Sequence, residues 1–148
     1  MNRGFRKMDK KIVMIIDDDR EFLEEMSELL VSKGYKVKTA EDGDTAIEKV
    51  KQVPPDIILL DIKLKDNSGL TIFDGLTIFD ELKKMKKTST IPIIAISGAY
   101  VKNYQSNYFL LHGIDDFIAK PFSIVKLLEN IEEKLGTKNK RNAVRRDI

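Results

Sequence analysis

Four acidic residues, one hydroxyl and one lysine stand directly after apolar runs of this chain. Asp17, Asp18 and Asp19 follow KIVMII (11–16), Asp61 follows DIILL (56–60), Ser97 ends the stretch opened by IPIIAI (91–96), and Lys120 follows DFIA (116–119). Carboxylates crowded together repel one another unless a cation lies between them. A hard cation with oxygen ligands suits such a place; Mg²⁺ (or Mn²⁺) keeps several waters and needs only one or two carboxylates beside phosphate oxygens. A lysine and a hydroxyl facing the same point would add the positive charge and the donor that a phosphoryl group calls for. A carboxylate can also accept a phosphoryl group covalently. Brought to one point, these residues would form an aspartyl-phosphate site.

Whether they meet depends on the elements that carry them. The four apolar runs lack polar alternation, as strands buried on both faces do, whereas YKVKTA (35–40) alternates and suits a strand nearer an edge. Between them lie helical patterns. Asp19 to Lys33 places Phe22, Leu23, Met26, Leu29 and Leu30 on one stripe and stops at Gly34. Residues 44–53 end before Pro54–Pro55, residues 100–112 stop at Gly113, and residues 123–135 stop at Gly136. With a third helix around DELKK, strand and helix alternate five times, which calls for an α/β fold with a parallel sheet and helices on both faces. In an open parallel sheet the carboxyl ends of the strands share one edge, and ligand sites form there. The polar residues all fall at such ends. Asp19 is expected to cap the first helix, and Asp61, after so apolar a run, needs partners if it is buried.

Composition narrows the class. The 148 residues suit one domain, with 42% hydrophobic and 34% charged residues, as in a globular protein. The chain has no cysteine, which excludes disulfides and thiolate metal sites. It carries no run long enough to suggest a membrane span and no signal-peptide pattern, so a cytoplasmic location is expected. The net charge of +2 is unevenly spread: residues 1–11 and 137–148 each carry +4, leaving −6 for residues 12–136. An acidic body between basic ends argues against a nucleic-acid-binding fold, because the net excess of basic charge lies outside the structured elements.

In this order, these motifs resemble the receiver domain of two-component response regulators, from about Lys11 to Leu135. IIDDD is similar to the family's acidic pair, DIILLDIKL to its phosphoacceptor strand, AISGA to its hydroxyl strand and FIAKPF to its lysine–proline strand. The resemblance implies a doubly wound, flavodoxin-like three-layer sandwich, with five parallel strands in the order 2-1-3-4-5 and five helices. It implies Asp61 as phosphoacceptor and Asp18 as principal metal carboxylate. Asp17 would orient a water on the metal, and the backbone carbonyl of Lys63 would complete the protein ligands. Lys120 would contact the phosphoryl group and precede a cis proline, Pro121. Ser97 and Phe117 would form the switch pair. A partner histidine kinase or phosphotransfer protein would be the donor. A downstream protein would read the face built from the fourth helix, fifth strand and fifth helix. Lys65 stands where the family often has proline, Phe117 brings no hydroxyl, and Gly98 replaces a frequent alanine. His112, the only histidine, suits the negative end of a helix dipole better than a relay.

One feature is foreign to that pattern. GLTIFD at 69–74 is repeated without change at 75–80. Removing either copy restores the family's spacing from Asp61 to Ser97, so 70–75 or 75–80 reads as a six-residue insertion at the start of the third helix. Six helical residues add about 9 Å and about 600° of rotation, which would misdirect the face that packs on the sheet. The second copy is therefore expected to form the first turns, with the first copy moved into the loop beside Asp61; the alternative is a third helix extended by nearly two turns past the sheet edge. Leu70, Ile72 and Phe73 would then form an apolar patch, or an element exchanged between two chains over 69–80.

The chain thus divides into a basic extension (1–10), a receiver (11–136) and a basic tail (137–148). It is expected to act as a phosphoacceptor switch with at most slow self-dephosphorylation, not as a metabolic enzyme. The alternative is a receiver-fold interaction module that has lost phosphate uptake and self-associates through the echo.

Overall fold

The computed structural model describes residues 9–62, 64–65, 71–72, 74–97 and 113–136. Five strands build one parallel sheet: β1 (Ile12–Ile16), β2 (Lys36–Ala40), β3 (Ile57–Asp61), β6 (Ile93–Ser97) and β7 (Asp116–Ala119). Their order is β2-β1-β3-β6-β7, with every neighbouring pair parallel. This is the expected 2-1-3-4-5 arrangement. Two further strands, β4 (Leu64–Lys65) and β5 (Thr71–Ile72), form a separate antiparallel ladder between β3 and the third helix. Such short strands carry no periodicity from which a sequence reading could find them. The helices among the described residues are α1 (Arg20–Ser32), α2 (Gly43–Gln52), α3 (Asp74–Lys84) and α4 (Ile124–Lys134). The helix expected over 100–112, with His112, lies outside the described residues, as do both charged ends beyond residues 9 and 136.

The continuous apolar runs are explained by burial on both sides. Met14, Ile16, Ile58, Leu60, Ile93 and Ala95 point into a core covered by α2 and α3. Their neighbours Val13, Ile15, Ile57, Leu59, Ile94 and Ile96 point into a second core under α1 and α4. Successive strand side chains face opposite ways, so a strand wrapped on both faces has no polar position. Each such side chain contributes roughly 1.5–3 kcal/mol on burial, and the two layers together fix the register of the central strands.

Helix ends follow local chemistry. Asp19 caps α1, its carboxylate accepting from Phe22 N at 3.2 Å, and Gly34 beyond the last turn takes φ +98°. Asp42 caps α2 and Ser123 caps α4 in the same way. Helix α3 begins at Asp74 and carries the whole second copy of GLTIFD, with Ile78, Phe79 and Leu82 buried in the core it shares with α2. Gly43 opens α2 against this helix: a Cβ there would lie 2.9 Å from Ile78 Cγ1.

Candidate functional site

Because the sheet is parallel, the ends of β1, β3, β6 and β7 lie along one edge. The register pairs Ile16 with Leu60, Asp61 with Ile96, and Ser97 with Ala119. Asp17 follows the end of β1, Asp61 ends β3, Ser97 ends β6 and Lys120 follows β7. Four residues dispersed over more than 100 positions are therefore delivered to one place by strand geometry alone.

Asp17, Asp18 and Asp61 each place a carboxylate oxygen within 4.8 Å of the others. Asp17 and Asp61 are buried, at 1% and 7% exposure, while Asp18 is half-buried. Asp17 is held from two sides. Its Oδ1 accepts the Asp19 N–H at 2.9 Å, and its Oδ2 accepts from Lys120 Nζ at 2.7 Å. Burial still pushes the Asp17 carboxyl above its ordinary range, against the lowering effects of Lys120 and Asp19 and with a smaller push from Asp18. This all-oxygen, carboxylate-rich donor set fits a hard divalent cation such as Mg²⁺.

Lys120 has a second partner. Its ammonium lies 4.0 Å from the centroid of the Phe22 ring, and Phe22 and Phe122 form a T-shaped pair with centroids 6.1 Å apart. Sequence reasoning assigned Phe22 only to the buried stripe of α1. No spacing signal links it to a lysine that approaches it through the fold. The Lys120–Pro121 peptide is cis, as the resemblance implied. Phe117 is half-buried and packs against the core covered by α2 and α3. Ser97 occupies the expected end of β6, and Lys63 lies outside the described residues.

Known proteins agree with this architecture. The family model described as response regulator receiver domain matches residues 13–132. Response regulator RR06 of Streptococcus pneumoniae is 31% identical over 120 residues, covering 81% of this chain and 51% of the relative. The polar-differentiation response regulator DivK of Brucella anthropi is 30% identical over 126 residues, covering 85% of this chain and 97% of DivK. The chain therefore spans about half the length of RR06 and nearly all of DivK. Among solved structures, the receiver domain of NtrX from Brucella abortus superimposes with a TM-score of 0.74 at 29% identity, covering 84% of this chain and 98% of that one. A response regulator from Desulfuromonas acetoxidans gives 0.72 at 26% identity, covering 84% and 96%.

A doubly wound sheet with an acidic pocket at its carboxyl edge is the architecture of a signalling receiver. This chain belongs to the response regulator receiver family, the phosphoacceptor switches of two-component systems. Receivers of this family bind Mg²⁺ at the acidic pocket and interact with histidine kinases and effectors. No helix among the described residues is long and apolar enough to cross a membrane.

Proposed function

We propose that this chain is a phosphorylation-controlled switch in which Asp61 accepts a phosphoryl group from a phosphohistidine on a partner kinase or phosphotransfer protein. One Asp61 oxygen bonds to phosphorus in line as the phosphorus–nitrogen bond breaks, and the imidazole keeps that electron pair. Asp18 and Asp61 would hold Mg²⁺ (or Mn²⁺), with Asp17 orienting a water on it and the Lys63 carbonyl completing the protein ligands. Held there, such an ion would supply positive charge to offset the negative charge on the phosphoryl oxygens. Lys120 turns its ammonium from Asp17 toward the phosphoryl group, and the Ser97 hydroxyl donates to one of its oxygens. Phe117 then moves inward and shifts the population of the face that includes β7 and α4, which a downstream protein reads.

The observation that supports this reading best is the meeting of three carboxylates within 4.8 Å beside Lys120. Partner recognition, cytoplasmic location and slow self-dephosphorylation belong to the same proposal. So do the unit boundaries at 11–136 and the reading of one GLTIFD copy as an insertion. Because the second copy supplies Ile78 and Phe79 to the core, we take residues 70–75 as the inserted stretch. Borohydride reduction after incubation with Mg²⁺ and acetyl phosphate tests the acceptor. An aspartyl phosphate at residue 61 is converted to homoserine there, and peptide mapping finds the change. Homoserine at another position, or at none, contradicts the assignment.

A further inference from the structure

Resting on that reading of the site, we propose that Phe22 is a positioning residue for Lys120, holding its ammonium where it can pass from Asp17 to an incoming phosphoryl group. Lysine carries its charge on a long flexible stem, so a single carboxylate fixes its head poorly. Here the ammonium lies between two attractors: Asp17 Oδ2 at 2.7 Å and the face of Phe22, whose centroid is 4.0 Å away. An aromatic face draws a cation through its quadrupole, and the attraction strengthens where water is excluded. The Lys120 side chain is only 26% exposed.

Phe22 is itself fixed from two directions. Its backbone N–H is bound by the Asp19 cap at 3.2 Å, and its ring packs T-shaped with that of Phe122 at an interplanar angle of 87°. Phe122 lies two residues after Lys120, so the cis Lys120–Pro121 segment brings both the cation and the ring that braces its aromatic seat. A packing role alone would be met by any apolar side chain of similar size. The ring face turned toward the ammonium is what separates the two roles. Unlike Asp17, this attractor has no net charge, so it does not draw the ammonium away from a phosphoryl group as strongly as a second carboxylate would.

The test compares the parent with Phe22→Leu, Phe22→Trp and Asp61→Asn. Phe22→Leu keeps apolar volume and loses the ring face, while Phe22→Trp restores a stronger one. Phosphorylation by acetyl phosphate at saturating Mg²⁺ is expected to slow about threefold to tenfold in Phe22→Leu and to recover in Phe22→Trp. Mg²⁺ affinity, which does not use the ring, should remain within about twofold of the parent. Nuclear magnetic resonance gives a second readout: the Lys120 ε-methylene protons should be shifted upfield by the ring current in the parent and not in Phe22→Leu. A Phe22→Leu protein that takes up phosphoryl groups at the parental rate overturns the proposal. So does a parental Lys120 signal without the upfield shift. If the parent gains no more phosphoryl than Asp61→Asn, the phosphoacceptor reading fails, and the Lys120 shift alone decides whether Phe22 seats the lysine.

Discussion

Lys120 Nζ lies 2.7 Å from Asp17 Oδ2, although 103 positions separate the two residues. The contact joins the first and last strands of the chain at one edge and leaves Asp61 beside both carboxylates of the acidic pair. With the Asp19 cap and the Phe22 ring it forms a short circuit of contacts, Asp17 to Asp19 to Phe22 to Lys120 and back.

Removing the cation should damage transfer more than metal binding. Lys120→Gln leaves the three carboxylates in place but deletes the charge that would meet the phosphoryl oxygens. Loss of one such stabilising donor typically lowers rates by about 10²–10³-fold. Phosphorylation should fall by roughly that factor while calorimetric Mg²⁺ binding persists. Equal loss of both would contradict the division of roles.

The Asp17 carboxyl gives a pH signature in metal-free protein. Burial raises its folded pKa above the ordinary value of 3.8, so the folded chain holds this proton more tightly than the unfolded chain does. The contribution of this group to stability is then present at low pH and is lost as pH rises from the ordinary carboxylate range through the raised folded value. Asp17→Asn should remove that downward contribution and raise the metal-free melting temperature at neutral pH. Circular-dichroism melts of both proteins from pH 4 to 8 measure it. Melting curves that respond identically to pH would refute the sign.

The echo can be tested through the core. Gly43→Ala places a Cβ 2.9 Å from Ile78 Cγ1 and should cost about 1–3 kcal/mol by overpacking. Ile78→Ala makes room, so the pair should be non-additive by at least about 0.5 kcal/mol. Coupling of Gly43 to Ile72 instead would mean that the first copy fills this seat.

Phe79 is 2% exposed, and Phe79→Ala should cost about 3–5 kcal/mol in chemical denaturation. The variant lacking residues 70–75 keeps Leu76 to Asp80 and puts Gly69 in the place of Gly75, so it should unfold cooperatively with a comparable midpoint. A failure of that variant to fold would contradict the view that the second copy alone supplies the α3 core.

Much of this is legible in the sequence. Strands buried on two faces have no polar positions, so KIVMII and DIILL announce themselves, and a parallel sheet sends Asp17, Asp61 and Lys120 to one edge. The Asp19 cap was readable from the residue type and its place before an apolar stripe. The ladder of Leu64–Lys65 with Thr71–Ile72 was not, because two residues define no period. Nor was the contact of Phe22 with Lys120, which depends on how α1 and the end of β7 meet in space. Phe22 satisfies the helix stripe equally well with or without a cation above it. Sequence patterns report which face is buried, not which charge comes to rest on it.

The central claim is that Asp61 accepts a phosphoryl group in a site that the duplicated segment leaves competent. Intact-mass spectrometry after incubation with Mg²⁺ and acetyl phosphate tests it most directly, with Asp61→Asn and the variant lacking residues 70–75 alongside. The account predicts a single phosphoryl adduct on the parent and on the shortened variant, and none on Asp61→Asn. A parent without an adduct beside a shortened variant that carries one would contradict it, leaving a receiver fold whose echo has silenced its own acceptor.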